Sequence, residues 1–388
     1  MNIIIFMPSL SGGGPKRLGS DFSLYLGERH NVTIVLMEDS IMYPYKGNII
    51  VLGKDSLKRF PIRGLRFIAN IIKFRKIVKD HNPDLVLSFQ EPPSFLNIIV
   101  RYSLFKKQYR SIVSVQLAMS HGESEMNAPQ RFITKILVKV LYRMADVLIA
   151  CSQGVKDDLV DHYGISPLQI SVVYNPVNTE RVGEASEEKV DHPWFRMDTP
   201  IIANVGRLAV QKNQIDLLKA FALVRKERAC RLVIIGEGRL LNDLTILAKS
   251  LGIIEDVLFT GFEKNPFKYL ANSTLFAFSS IYEGYGLAII EAMTVGCPVI
   301  STDCIAGPRE ILAPDLSPHL KVTTVRQERY GLLVPVHDVN ALAHGIKELL
   351  ESKELREKYS QAGKLRARDF DIQRIAGKYL DCVSYQSQ

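Results

Sequence analysis

The sequence has no run of about 18 or more apolar residues, so no membrane-spanning helix is expected. It is poor in cysteine: Cys151, Cys230, Cys297, Cys304 and Cys382 are an odd five in 388 residues, with no C-x2-C pair. That pattern suits thiols in a reducing cytoplasm and argues against a disulfide scaffold or a zinc site. Segment 1–10 is apolar but lacks a basic start, and it runs into glycines rather than a cleavage site. It reads as a strand, not an export signal. Internal repeats and low-complexity tracts are absent. So is any basic run interleaved with aromatics, which speaks against nucleic acid as a partner.

Hydrophobic residues make up 47% and charged residues 23%, an ordinary globular composition, and 388 residues are more than one core usually holds. Two domains are expected. The net charge of +8 is unevenly placed: residues 1–182 carry 23 Lys and Arg against 15 Asp and Glu, whereas 183–388 carry 26 of each. The first half should therefore meet something anionic.

The chain is organised around residues 279–312. An apolar strand at 274–278 ends in polar residues, Glu283-Gly284-Tyr285-Gly286 makes a tight turn, and an apolar helix follows over 287–295 until Gly296-Cys297-Pro298 stops it. A strand, a glycine turn and a helix start form an anion site, because the first helical N–H groups lack partners and the helix dipole points its positive end there. Gly284, Tyr285, Gly286, Leu287 and Ala288 are thus candidates to cradle a phosphate. Glu283 and Glu291 flank the turn and suit the hydroxyls of two sugars. Upstream, a strand at 201–205 leads into Gly206-Arg207-Leu208 and Lys212-Asn213. Two cations five residues apart at a strand end can clamp a diphosphate, Arg207 through paired hydrogen bonds and Lys212 as a point charge.

The first half opens with a strand at 3–7, the glycine loop 11–15, a helix over 17–29 and a strand at 32–36, a nucleotide-binding type of unit. Residues 57–79 form a basic amphipathic helix, with Phe67, Ile68, Ile71, Ile72, Phe74 and Val78 on one side and Arg66, Lys73 and Lys76 on the other. Either an anionic membrane surface or the protein's own sheet can take its apolar side. Lys106, Lys107 and Arg110 add local positive charge. A strand at 112–116 leads to Met119-Ser120-His121-Gly122, and a histidine there sits where open α/β sheets bind ligands. The helix expected over 130–142 carries Arg131, Lys135, Lys139 and Arg143 at i, i+4 spacing, which costs a few tenths of a kcal/mol per like-charged pair. It suits either an anionic partner or a solvated face. Residues 179–199, polar and proline-bearing, read as a linker.

Together, G-R-x4-K-N at 206–213 and E-x7-E from Glu283 to Glu291 resemble the donor site of retaining GT-B glycosyltransferases, the fourth family of the sequence classification, also called group 1. The likeness extends over nearly the whole chain. It implies two facing Rossmann-like domains, 1–178 and 200–371, with a crossover helix at 372–388 returning to the first. It gives Glu283 the transferred sugar, Glu291 the ribose, Arg207 and Lys212 the donor diphosphate, Gly236 and Glu237 a place near the base, and His121 the sugar from across the cleft. Gly13 and Gly14 match the family's glycine pair in the donor and acceptor loop, but Lys16 replaces the acidic residue that often follows.

The implied reaction is sugar transfer from a nucleotide sugar to a glycan hydroxyl with retention. The stretch Gly307-Pro308-Arg309-Glu310-Ile311-Leu312 is most similar to members using UDP-hexoses or UDP-N-acetylhexosamines, often on lipid-diphosphate-linked acceptors. A cytoplasmic enzyme peripheral to an anionic membrane face is expected. No metal is expected, since Arg207, Lys212 and the helix start neutralise the diphosphate. Asp369-Phe370-Asp371, a D-x-D like that of metal-dependent glycosyltransferases, reads as capping and surface charge. Two rivals share the architecture: a nucleotide-sugar 2-epimerase and a non-catalytic nucleotide-sugar-binding subunit.

Overall fold

A computed structural model describes residues 1–53, 63–104, 109–122, 126–317 and 319–384. The expectations for 57–62, Lys106 and Lys107 lie outside the described residues. The chain divides into two compact units, Met1–Pro176 with Ile372–Gln388, and Val177–Asp371.

The first unit is built on a parallel sheet whose strands are near-continuous apolar runs, as strands covered on both faces must be. They are β1 (Asn2–Met7), β2 (Asn31–Leu36), β3 (Asn48–Val51), β4 (Leu85–Phe89), β5 (Arg110–Val115), β6 (Val147–Ala150) and β7 (Ile170–Val172). Their order is β3-β2-β1-β4-β5-β6-β7. Alternation along β1 sends Ile3, Ile5 and Met7 into one core layer and Ile4 and Phe6 into the other. The C-terminal helix Ile372–Ser384 closes the first layer with Ile375, Ala376 and Tyr379, whose hydroxyl lies 3.1 Å from Ser114 Oγ.

The helix Arg63–His81 closes the other layer. Phe74 stacks on Phe6 with centroids 4.3 Å apart, Val78 is fully buried, and Lys73 Nζ donates to the Leu52 carbonyl at 2.9 Å. Its sheet-packing role is thus real, yet Leu65, Ile68 and Ile72 on the same helix stay exposed.

The second unit repeats the plan with β8 (Ile201–Val205), β9 (Arg231–Ile235), β10 (Val257–Gly261), β11 (Leu275–Phe278), β12 (Val299–Thr302), β13 (Arg326–Gln327) and β14 (Leu332–Val334). The order is β10-β9-β8-β11-β12-β14-β13, parallel except for the edge pair β13 and β14. Strand order therefore reverses direction between β1 and β4 in one unit and between β8 and β11 in the other. In open α/β sheets the crevice beyond the carboxyl ends of those strands is where ligands bind.

The linker expectation for 179–199 is corrected. Asn178 caps a helix, Thr179–Ser186, by accepting from Arg181 N, and Val182 and Val190 are buried. Asn265 Nδ2 donates to the Ala185 carbonyl at 2.7 Å, Lys268 pairs with Glu188, and the Phe195 ring meets Tyr269 edge-on at 5.6 Å. The polar composition reflects the segment's outer face, while Val182 in the helix and Val190 beyond it are buried and the helix packs on those at Phe267–Ala271 and Leu287–Thr294. Among the described residues no helix is long and apolar enough to cross a membrane.

Candidate active site

Both loops of the second unit's switch point carry the residues singled out by sequence. The loop after β8 makes a short 3-10 turn, Val210–Lys212, and Asn213 adopts φ 49 before the helix Gln214–Glu227 begins. The loop after β11 runs to Gly286, whose φ of 97 lets the chain turn directly into the helix Leu287–Thr294 without a side-chain cap. Hydrogen bonds join the two loops. Ile281 N donates to the Gln211 carbonyl at 2.8 Å, Gln211 Nε2 to the Tyr282 carbonyl at 3.0 Å, and Ser279 Oγ to the Lys212 carbonyl at 2.8 Å.

This framework brings Lys212 Nζ to 2.5 Å from Glu283 Oε1, a charge-assisted contact with both groups largely buried. The lysine stem runs beside Gly206, where a Cβ would stand 3.3 Å from Lys212 Cδ and Cε, and its ammonium lies 5.0 Å from the Phe278 ring centre. Arg207 is exposed, with Nη2 3.2 Å from Gln211 Oε1, and its carbonyl accepts from Gln214 Nε2 at 3.1 Å. Glu291 is buried in the Leu287–Thr294 helix.

Tyr285 packs its ring edge-on against Phe370 at 5.8 Å and is buried, so its backbone rather than its phenol faces the turn. Gly307, at φ 95, lies so close that a Cβ would meet the Tyr285 carbonyl oxygen at 1.8 Å. Burial pushes the Cys304 thiol well above its ordinary pKa, with Glu283 adding to the rise, which keeps it from acting as a thiolate nucleophile.

The 236–238 turn closes on the same loop. Leu208 N donates to the Glu237 carbonyl at 2.9 Å, and Gly236, at φ 143, has room only for hydrogen, since a Cβ would meet the Gly206 carbonyl oxygen at 2.1 Å. Glu237 itself is exposed. Arg207, Lys212, Gly236, Glu237, Glu283, residues 284–288 and Glu291 thus belong to one unit.

Gly13, Gly14 and His121 belong to the other. Gly13 (φ 72) precedes the helix Gly14–Leu26, and His121 lies in a short helix, Met119–Gly122, with Nδ1 3.0 Å from Ser120 Oγ. Sequence reasoning missed Gln211, Gln214 and Ser279, which are ordinary polar loop residues until the strands are paired. It also missed Gln90 and Glu91 at the end of β4, where Gln90 has φ 62 and the Tyr142 hydroxyl donates to Glu91 Oε1. The carboxylates of the D-x-D have structural partners. Asp369 pairs with Arg366, and Asp371 accepts from the Thr179 amide and hydroxyl.

Two doubly wound sheets, with a cation pair, a glycine turn and two carboxylates at one switch point, define a glycosyltransferase of the GT-B fold. Residues 185–366 match the family described as glycosyl transferases group 1, and residues 12–181 match glycosyltransferase family 4. The N-acetylgalactosamine-N,N'-diacetylbacillosaminyl-diphospho-undecaprenol 4-alpha-N-acetylgalactosaminyltransferase of Campylobacter jejuni is 31% identical over 383 residues, covering 97% of this chain and 98% of its own. Sucrose-phosphate synthase from Thermosynechococcus elongatus has the same fold, with a TM-score of 0.80 at 18% identity over 99% of this chain and 98% of that one. Anabaena HepE in complex with UDP-glucose gives 0.78 at 17% identity over 99% and 100%. The chain belongs to glycosyltransferase family 4, the group 1 glycosyltransferases, and is a sugar-transferring enzyme.

Proposed function

We propose that the protein transfers a hexose or N-acetylhexosamine from a UDP-sugar to a hydroxyl of a lipid-diphosphate-linked glycan, with retention of configuration and without a metal. The observation that carries this is the Lys212–Glu283 pair beside the glycine turn, with Arg207 in the adjoining loop. As the bond from C1 to the diphosphate breaks, the sugar becomes oxocarbenium-like and negative charge grows on the leaving group. Arg207, Lys212 and the amides of 284–288 are assigned to that charge, which is where preorganised electrostatics lowers a barrier. Glu283 is assigned the sugar hydroxyls, Glu291 the ribose, Gly236 and Glu237 the base, His121 the transferred sugar, and Gly13 and Gly14 the substrate loop. The donor class is supported by the fold shared with HepE bound to UDP-glucose, and the acceptor class by the diphospho-undecaprenol substrate in the Campylobacter relative's name.

The test is nucleotide release from UDP-, GDP- and ADP-sugars, with and without lipid-linked glycans, in EDTA, with the product's anomeric configuration read by NMR. Turnover only with a UDP-sugar plus acceptor, giving the donor's anomeric configuration, is the expected result. Turnover abolished by EDTA would remove the metal-independent part. Acceptor-free conversion of the donor would point to an epimerase, and binding without any turnover to a non-catalytic subunit.

The reading includes peripheral attachment to an anionic, cytoplasm-facing membrane surface. The helix Ala128–Leu141 exposes Phe132 (68%), Ile133 (56%), Ile136 (45%) and Val140 (54%), interleaved with exposed Arg131, Lys135 and Lys139. Apolar side chains that stay in water beside cations suit the boundary of an anionic bilayer. Arg143 instead donates to the Gly164 carbonyl at 2.7 Å, so the basic stripe ends at Lys139. Flotation with phosphatidylglycerol vesicles but not phosphatidylcholine vesicles is expected, weakened by Phe132→Ser with Ile136→Ser. Equal flotation of the double variant would sink this assignment.

A further inference from the structure

We propose that Ser120 and Asp158 are positioning residues that hold His121 in the Nδ1–H tautomer, so that its Nε2 accepts a hydrogen bond from a hydroxyl of the transferred sugar. This rests on the assignment of His121 to that sugar. Asp158 lies in the interior of the helix Gln153–Tyr163 with its side chain 3% exposed. A carboxylate so placed is costly unless it is met by donors. The Ser120 backbone N–H meets Oδ2 at 3.3 Å and the Ser120 hydroxyl donates to Oδ1, while His162 Nδ1, one turn along, lies 3.3 Å from Oδ1.

A hydroxyl has one proton, and here the carboxylate takes it. Ser120 Oγ keeps only lone pairs for its second neighbour, His121 Nδ1, at 3.0 Å. That contact is a hydrogen bond only when Nδ1 carries the proton. In the neutral ring Nε2 is then the acceptor, since the bond made by one nitrogen fixes the character of the other. The consequence is selective: a neutral Nε2 acceptor can hold a sugar hydroxyl, whereas a phosphate oxygen offers it no proton. Fastening the Met119–Gly122 turn to the helix would need only the amide-to-carboxylate bond, which Ser120→Ala retains.

The test is a set of variants of the whole chain, assayed for kcat and donor KM with the UDP-sugar and acceptor that turn over. Ser120→Ala and Asp158→Ala should each lower kcat roughly tenfold, the scale on which partners of a working histidine act, with donor KM held within about twofold. Ser120→Thr, which keeps a hydroxyl, should restore kcat. In a His121→Ala background neither substitution should lower kcat further, because groups acting through one residue are not additive. A full additional loss there would show a merely structural role and overturn the proposal. Nitrogen-15 spectra of histidine-labelled protein decide independently: Nδ1 bearing the proton is expected, and Nε2 bearing it would overturn the proposal even if Asp158→Ala fails to fold. If His121→Ala leaves kcat unchanged, the sugar assignment fails, while the spectrum still judges the tautomer.

Discussion

At the switch point between β8 and β11, a lysine and a glutamate meet at 2.5 Å inside loops joined by three hydrogen bonds. At the corresponding point between β1 and β4, the glycine loop is open: a Cβ on Gly12 or Gly13 would touch nothing within 4 Å. Its helix, Gly14–Leu26, has no acidic residue in the first turn, where Lys16 and Arg17 stand instead. The same strand order thus supports one site built tightly around fixed charges and another left wide. The sheet supplies the position of the loops, and the loop side chains supply the chemistry.

The largest expected effect breaks the tight site. Lys212→Ala should lower kcat/KM by roughly 10²–10³, as loss of one preorganised charge at a developing anion does, and Arg207→Ala should act on the same scale. Lys16→Ala, at a half-buried position of the open loop away from the donor turn, should cost no more than roughly tenfold. Equal losses at Lys212 and Lys16 would show that both switch points hold the reacting diphosphate, and the contrast would fall.

A second pair of substitutions tests rigidity. Gly307→Ala forces a Cβ against the Tyr285 carbonyl oxygen and should cost about 3 kcal/mol or more, lowering Tm by roughly 6 °C or more for a unit of this size. Gly13→Ala meets open space and should cost only the penalty of a backbone (φ 72, ψ 155) that side chains avoid, about 1–3 kcal/mol, hence roughly 2–12 °C. Calorimetry showing the two melting shifts reversed would mean that the glycine loop, not the donor turn, is the constrained one.

The second unit was the more legible in sequence for the same physical reason. A site built from short loops beside adjacent strands leaves its residues close together along the chain, so Arg207 and Lys212, or Glu283 and Glu291, show as spacings. Gln211 and Ser279 escaped notice because their roles depend on pairing across 71 and 67 residues. In the first unit Asp158 is 37 residues from His121, and Glu91 reaches Tyr142 across 51. Pattern within one element says nothing of such contacts. The helix 179–186 was hidden by its composition, in which Gly183, Glu184 and Ser186 suggest a tether and only the buried Val182, with Val190 beyond the helix, betrays packing. The exposed Phe132 and Ile136 were not legible either, since the i, i+4 cations mark a charged stripe and spacing alone does not tell which apolar residues beside it stay in water.

The smallest effect is the most diagnostic, because it puts one substitution at both switch points. Burial raises the pKa of Glu91, opposed by the hydrogen bond from Tyr142, so the folded chain keeps this proton to higher pH than the unfolded chain does. Its contribution to stability is therefore fully present below the ordinary glutamate pKa and is lost as pH rises through the folded value. Glu91→Gln keeps an oxygen for the Tyr142 hydroxyl and has nothing to titrate. It should flatten that loss and raise Tm near neutral pH by roughly 2–4 °C, the effect of about 1 kcal/mol. Glu283→Gln should do the reverse, because it leaves the half-buried Lys212 ammonium without its carboxylate. Melting curves of both variants from acid to neutral pH read the two signs directly. If Glu91→Gln runs parallel to the parent chain at lower Tm, then the Glu91 carboxyl is a paired anion like Glu283, and the two switch points are electrostatically alike.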